Sequence, residues 1–148
     1  MTAFEDRFEI RELIDRWSDA VNEQNWDQLA SCFIEDGVWD LGAPFSSVFT
    51  GKEITEKVAG LIEARKYVIQ TPHAVAITLN GDTATSRATM HEATAAHDGT
   101  GLQVWGTYYD DLVRTPVGWR FKVRKFRVAF ITYEPLPGEL IRSYGGAV

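Results

Sequence analysis

Cysteine is almost absent from this chain. The single thiol, Cys32, permits no internal disulfide, and its place on the apolar side of the expected second helix suits a buried, inert side chain better than a nucleophile. Histidine is scarce too: His73, His91 and His97 include no pair four residues apart on a helix, so no metal site is signalled. Positive charge is in the minority, with 15 Lys and Arg against 21 Asp and Glu, a net charge of −6 and a pI near 5.0. The nearest approach to a basic cluster, Arg120 to Arg127, is interleaved with Phe and Val as in a strand, which argues against nucleic acid as a partner. No run of ~18 or more apolar residues and no charged leader before an apolar stretch is present, so neither membrane spanning nor secretion is signalled and a cytoplasmic location is expected. Gly-x-Ser-x-Gly is missing, as is a Gly-rich loop between a strand and a helix. Acyl-enzyme chemistry and nucleotide binding therefore have no support, and no cofactor is expected.

What is present is a clear change of periodicity. Thr2-Ala3-Phe4-Glu5 has the spacing of a capping box, and Ile10, Leu13, Ile14, Trp17 and Val21 then recur at helical intervals. Asn25 is expected to open a second helix with Trp26, Leu29, Ala30 and Phe33 on one side. Gly37 would stop it in a left-handed cap, with a short strand over 38–41 to follow. Thr50 precedes a third helix carrying Ile54, Val58, Leu61 and Ile62 on one face. From Tyr67 the period becomes two. His73 falls in the set Val75, Ile77 and Leu79, Asn80-Gly81-Asp82 supplies a hairpin turn, and Ala84, Ser86, Ala88, Met90 and Glu92 share a face of small residues. Further turns at 98–101 and 115–118 make an antiparallel meander. The apolar face of the last strand switches at Arg124-Lys125, which predicts a bulge or bend. The expectation is an α+β fold in which three N-terminal helices pack in a curved, mostly antiparallel sheet. Residues 1–148 form one domain, with 133–148 as a tail or flap.

Several polar residues fall where a pocket could use them, and each has a structural alternative. Asn22, after Val21, either satisfies backbone groups at a helix end or enters an apolar wall. His73 is either a satisfied core histidine or a base near pH 7. Glu92 either projects into the volume left by its small neighbours, where desolvation would raise its pKa, or sits in water near the strand end. His91 and His97 are expected to be exposed. Tyr108 and Trp105 lie on opposite faces of one strand, and Tyr108 is the better candidate to face inward. Arg124 could hold a phenolate or carboxylate, or make a surface or dimer-face ion pair. If His73 and Glu92 both face inward, a base and an acid on adjacent strands could remove a proton α to a carbonyl or ring and protonate a leaving hydroxyl.

Three helices before a long meander, the Ile10 to Trp39 pattern, and Gly106-x-Tyr108 followed by Gly118-Trp119-Arg120 resemble the SnoaL-like branch of the nuclear transport factor 2-like superfamily, over about residues 5 to 132. Scytalone dehydratase, bile acid dehydratase and lindane dehydrochlorinase are among its relatives. The resemblance implies an α+β cone with a deep cavity, a fold that also hosts non-catalytic proteins. It implies that Trp17 and Asn22 stand where related lyases carry a Tyr and an Asp, that His73 matches their catalytic His, and that Glu92 and Arg124 match an acid and an arginine of particular subfamilies. It places Trp17, Trp39 and Phe126 around the mouth, suiting a flat hydrophobic ligand. The expected function is a lyase or isomerase of dehydratase type acting on a small hydrophobic molecule, aromatic or polycyclic, with His73 and Glu92 catalytic and Asn22, Tyr108 and Arg124 binding oxygen atoms. The competing expectations are a hydrophobic-ligand-binding module without chemistry and an assembly module. A homodimer or higher homo-oligomer is expected under each.

Overall fold

A computed structural model describes residues 2–142. The end of the expected flap, 143–148, lies outside the described residues. Helix α1 (Ala3–Asn22) begins on the capping box: Thr2 Oγ1 accepts from the Glu5 N–H, and the Glu5 carboxylate accepts from the Thr2 N–H. Its stripe of Ile10, Leu13, Ile14, Trp17 and Val21 is buried against the sheet, chiefly over β3 (Arg65–Asn80).

The second helix is shorter than its periodicity predicts. Helix α2 covers only Trp26–Ala30, and Phe33 opens strand β1 (Phe33–Leu41) instead of closing a helical face. Gly37 is no helix cap either. It lies inside β1, where a Cβ would collide with the Phe33 ring, and the register between β1 and β6 (Gly118–Thr132) slips between Phe33 and Val38. A helix this short has little stability of its own, and the ladder begun by the Phe121 N–H on the Cys32 carbonyl gives the backbone a better partner. Strand β2 (Ser47–Thr50) and helix α3 (Lys52–Glu63) follow. Two helices therefore precede the sheet and the third is inserted between β2 and β3. Its N-cap is Gly51 at φ 54°, not Thr50.

Strands β3, β4 (Thr83–Ala96), β5 (Gly101–Thr115) and β6 form the expected meander. The sheet is unclosed, in the order β2-β1-β6-β5-β4-β3, and every neighbouring pair is antiparallel except β1 with β6. Bulges shape it. Opposite β5, β6 carries an extra residue at Lys122, which turns Arg124 and Phe126 inward where Trp119 and Phe121 had been; the face switch legible in the sequence is thus a bulge two residues earlier than its markers. Gly106 is required beside a second one, because a Cβ there would lie 2.5 Å from the Phe126 ring. After β6 the chain carries no further helix or strand among the described residues, and the Leu136 N–H donates to Tyr67 Oη at 3.1 Å.

One ion pair ties the start of α1 to the β5–β6 hairpin. Arg114 Nη2 donates to Asp6 Oδ2 at 2.9 Å and Trp119 Nε1 to Oδ1 at 3.0 Å, and together they hold the Asp6 carboxyl down to about 2. A depressed carboxylate stabilises the fold above its unfolded pKa and loses that contribution as pH falls through the folded one. Asp6→Asn is expected to lower Tm at pH 7, with the deficit shrinking as pH falls from about 4 to 2; thermal melts across that range check it.

Candidate active-site cavity

A cavity of about 160 Å³ opens between α1, α3 and the inner face of the sheet. Helix α1 supplies Trp17, α3 supplies Val58 and Ile62, and Trp39, Met90 and Phe126 come from β1, β4 and β6. Leu41 and Phe45 extend the lining toward the loop before β2. Trp17, Trp39 and Phe126, expected around the mouth, line the cavity wall. The charged side chains of this wall are Glu92 and Arg65.

Glu92 comes from β4 on the face whose parity was legible in the sequence. It faces Gln70, its cross-strand partner on β3, and Gln70 Nε2 donates to Glu92 Oε2 at 2.6 Å. Desolvation raises the Glu92 pKa above the usual glutamate range; the Gln70 amide and the Arg65 charge oppose that without cancelling it. Gln70 is in turn fixed by its backbone. Asn22 closes a two-point clamp on it, Nδ2 donating to the Gln70 carbonyl at 2.9 Å and Oδ1 accepting from the Gln70 N–H at 2.8 Å. Asn22 thus satisfies backbone groups, but those of a distant strand and not of its own helix. Both its polar atoms are used there, and it does not line the cavity.

Tyr108 lines the same cavity from β5, the strand next to β4. Trp39 Nε1 donates to its Oη at 3.3 Å, which leaves the phenol proton free for another acceptor, and burial pushes its pKa up to about 12. It is a hydrogen-bond donor at any ordinary pH. Trp105, on the opposite face, stacks on His91 at 4.3 Å outside the cavity. His91 is accordingly half-buried, not exposed as expected, whereas His97 is exposed.

Arg124 is neither an oxyanion holder in the wall nor a surface ion pair. It is fully buried, pairs with Asp110 at 3.0 Å, and lies 3.9 Å over the Tyr108 ring and 4.2 Å over Phe121. Its two Nη atoms have no hydrogen-bond acceptor; the ring faces compensate them as cation–π partners. Asp110 accepts from Ser86 Oγ at 2.9 Å, and burial raises its pKa against the pull of Arg124. The cluster is a prop behind Tyr108.

His73 is outside. The register of β3 on β4 gains one residue between Pro72 and Val75, so Val68 and Gln70 face inward before the bulge and Val75 and Ile77 after it. His73 falls in the bulge with its side chain exposed, while its carbonyl accepts from Arg11 Nη1 at 3.0 Å. The shared parity of His73 with Val75 was the signal in the sequence, and one inserted residue reverses what it means. A similar slip at Lys66 lets Arg65 join the wall of Val68 and Gln70. Gln70 and Arg65 are the residues that sequence reasoning missed. Among the described residues no group of three or more His, Cys, Asp or Glu side chains could hold a metal ion, and no helix is long and apolar enough to cross a membrane.

Residues 2–125 match a family model described as a SnoaL-like domain. The chain belongs to the SnoaL-like family. An uncharacterized protein of Mycobacterium tuberculosis is 30% identical to it over 120 residues, 78% of this chain and 80% of that protein. A scytalone-dehydratase-like protein of Novosphingobium aromaticivorans superposes with a TM-score of 0.78 at 17% identity, over 95% of this chain and 92% of its own. The hexachlorocyclohexane dehydrochlorinase LinA-type3 of Novosphingobium barchaimii does so with a TM-score of 0.78 at 15% identity, over 91% and 97%. At such identities the likeness shows the fold alone and assigns no residue a role.

Within this SnoaL-like chain the Tyr and Asp that the resemblance associates with α1 are Trp17 and Asn22, and the structure gives both a local purpose. Asn22→Asp would restore the acid but remove the donor to the Gln70 carbonyl and set a carboxylate against it. With His73 outside, there is no imidazole for that acid to orient. The substitution is expected to cost ~1–3 kcal/mol, the usual scale for leaving such groups unsatisfied, which urea unfolding would read.

Proposed function

We propose that this SnoaL-like protein is a cofactor-independent lyase or isomerase, with Glu92 as the proton-transfer group and Tyr108 as the donor to a substrate oxygen. The observation that carries this reading is a carboxyl of raised pKa held by Gln70 inside an apolar cavity that a phenol on the neighbouring strand also lines. A pKa moved toward neutral makes a carboxylate both a better base and a usable acid. His73, exposed on the bulge, has no part in this mechanism.

Ala88 stands opposite Tyr108 and is four residues from Glu92, so the two main chains are separated by roughly 14 Å along the sheet. Side chains leaning in from both ends leave room for one ring and its substituents. The volume agrees, since a cavity of about 150 Å³ accommodates benzene. The favoured substrate is a small molecule of about one ring bearing a carbonyl, not a polycycle. The Glu92 carboxylate takes a proton from the carbon α to that carbonyl, and the electron pair moves onto the carbonyl oxygen, where the Tyr108 O–H stabilises it. When the pair returns, a β-hydroxyl leaves as water on receiving the proton from Glu92, or the proton is replaced at another carbon. Elimination is also what the name of the dehydrochlorinase describes for a protein of this fold.

Incubation with hydroxylated one-ring ketones in deuterated water tests the reading. Deuterium at the α carbon or loss of water is expected, with His73→Ala unchanged. A ligand that binds but neither exchanges nor changes mass would make the protein a binding module instead. The outer sheet face carries exposed Trp105, Tyr109 and Phe130, which supports a homodimer through that face. Sedimentation giving a monomer mass at every concentration would refute it.

A further inference from the structure

Beside the cavity lies a second one of about 170 Å³, and Ile62, Arg65 and Val68 line both. Its character is opposite. Lys66, His97 and Arg65 line it together with Gln24 and Tyr67, and no acid does, in a chain whose net charge is −6. Among the described residues no hydrogen bond or ion pair holds the Arg65 guanidinium or the Lys66 ammonium. The acids that feel the Arg65 charge are engaged elsewhere: Glu92 by Gln70, and Asp98 by the Thr100 N–H at 2.9 Å and hydroxyl at 2.7 Å. Lys66 and His97 are exposed and Arg65 is half-buried, so beside the apolar chamber these groups present positive charge that no acid of the lining neutralises.

We propose that this vestibule binds a carboxylate, so that the ligand is an aromatic acid whose ring enters the apolar cavity and whose anionic arm is held by Arg65 and Lys66. Arg65 is the hinge of the arrangement because it belongs to both walls. A planar guanidinium can take a carboxylate on two donors, and Lys66 adds a second charge from the bulge beside it. The ligand is thereby positioned end-on, ring inward, which is the orientation that Glu92 and Tyr108 need. The proposal rests on the reading of the inner cavity as the substrate site, though not on its chemistry.

The test uses two probes of one shape, 3-phenylpropionate and 3-phenylpropanol, neither of which has a carbonyl and β-hydroxyl to react. Trp17 and Trp39 line the cavity, so their fluorescence reports binding. At low salt the acid is expected to bind at least ~10-fold more tightly than the alcohol, the return from one charge-assisted hydrogen bond. The preference should be lost in Arg65→Gln, reduced in Lys66→Gln and kept in His73→Ala, a residue that lines neither cavity. Equal affinity for the two probes, binding of neither, or a preference that survives Arg65→Gln with Lys66→Gln would overturn the proposal. Absence of turnover in the deuterium experiment alongside an intact acid preference would remove the proton-transfer reading and leave this one standing.

Discussion

Glu92→Gln is expected to lower turnover by ~10²-fold or more, the scale of losing a positioned acid or base, while making the protein harder to unfold at alkaline pH. The two effects share one cause. Burial raises the pKa of this carboxyl, so the native state keeps a proton that the unfolded chain has already released. Stability therefore falls as pH rises from the unfolded pKa to the folded one, and the whole penalty is present above the latter. Glutamine keeps the shape and can still accept from Gln70 but does not ionise. The Tm difference, mutant minus wild type, should be close to zero below the usual glutamate pKa and become positive with rising pH. Each ~1 kcal/mol of relieved penalty appears as about 2–4 °C in a chain of this size. The sign is opposite to that for Asp6, whose pKa is depressed. A Tm difference flat with pH would mean that Glu92 is solvated, and unchanged turnover in the mutant would remove it from the mechanism.

Arg124→Ala should be the most destabilising of these substitutions, at ~3–5 kcal/mol, because it strands Asp110 as an uncompensated charge in the core. Removing a partner is far worse than removing the pair. Arg124→Met combined with Asp110→Asn keeps an acceptor for the Ser86 hydroxyl and fills the space between the Tyr108 and Phe121 rings, so it should recover much of the loss. Urea unfolding of the wild type, single and double variants measures this directly. If the double variant is no more stable than Arg124→Ala, the stranded Asp110 carboxylate is not the cause of the deficit. Turnover adds a second reading: a prop behind Tyr108 predicts that any loss in the double variant tracks Tyr108 position and not overall stability.

The residues that could be read in advance are those whose side-chain direction follows from unbroken local periodicity. Ile10 to Val21 on α1, Glu92 on β4 and Tyr108 on β5 all lie in stretches that carry no inserted residue of their own before them, and all face the way their spacing implies. Phe33 and Gly37 were misread because a helical spacing that runs only from Trp26 to Phe33 is too short to outweigh a strand ladder offered by β6. Arg124 could be located on a bend, but nothing nearby in sequence reveals that Asp110, on another strand, neutralises it.

By itself the sequence determined the α1 cap, the apolar faces, the meander and the family of this fold, because caps, turns and periodicities are properties of adjacent residues. Tertiary structure decided which groups share the cavity. One extra residue in β3 places His73 in solvent, another brings Arg65 to the wall, and Asn22 reaches across to pin the strand that presents Gln70 to Glu92. A bulge reverses parity without leaving a distinctive residue behind, and a side-chain clamp on a remote backbone has no local signature at all.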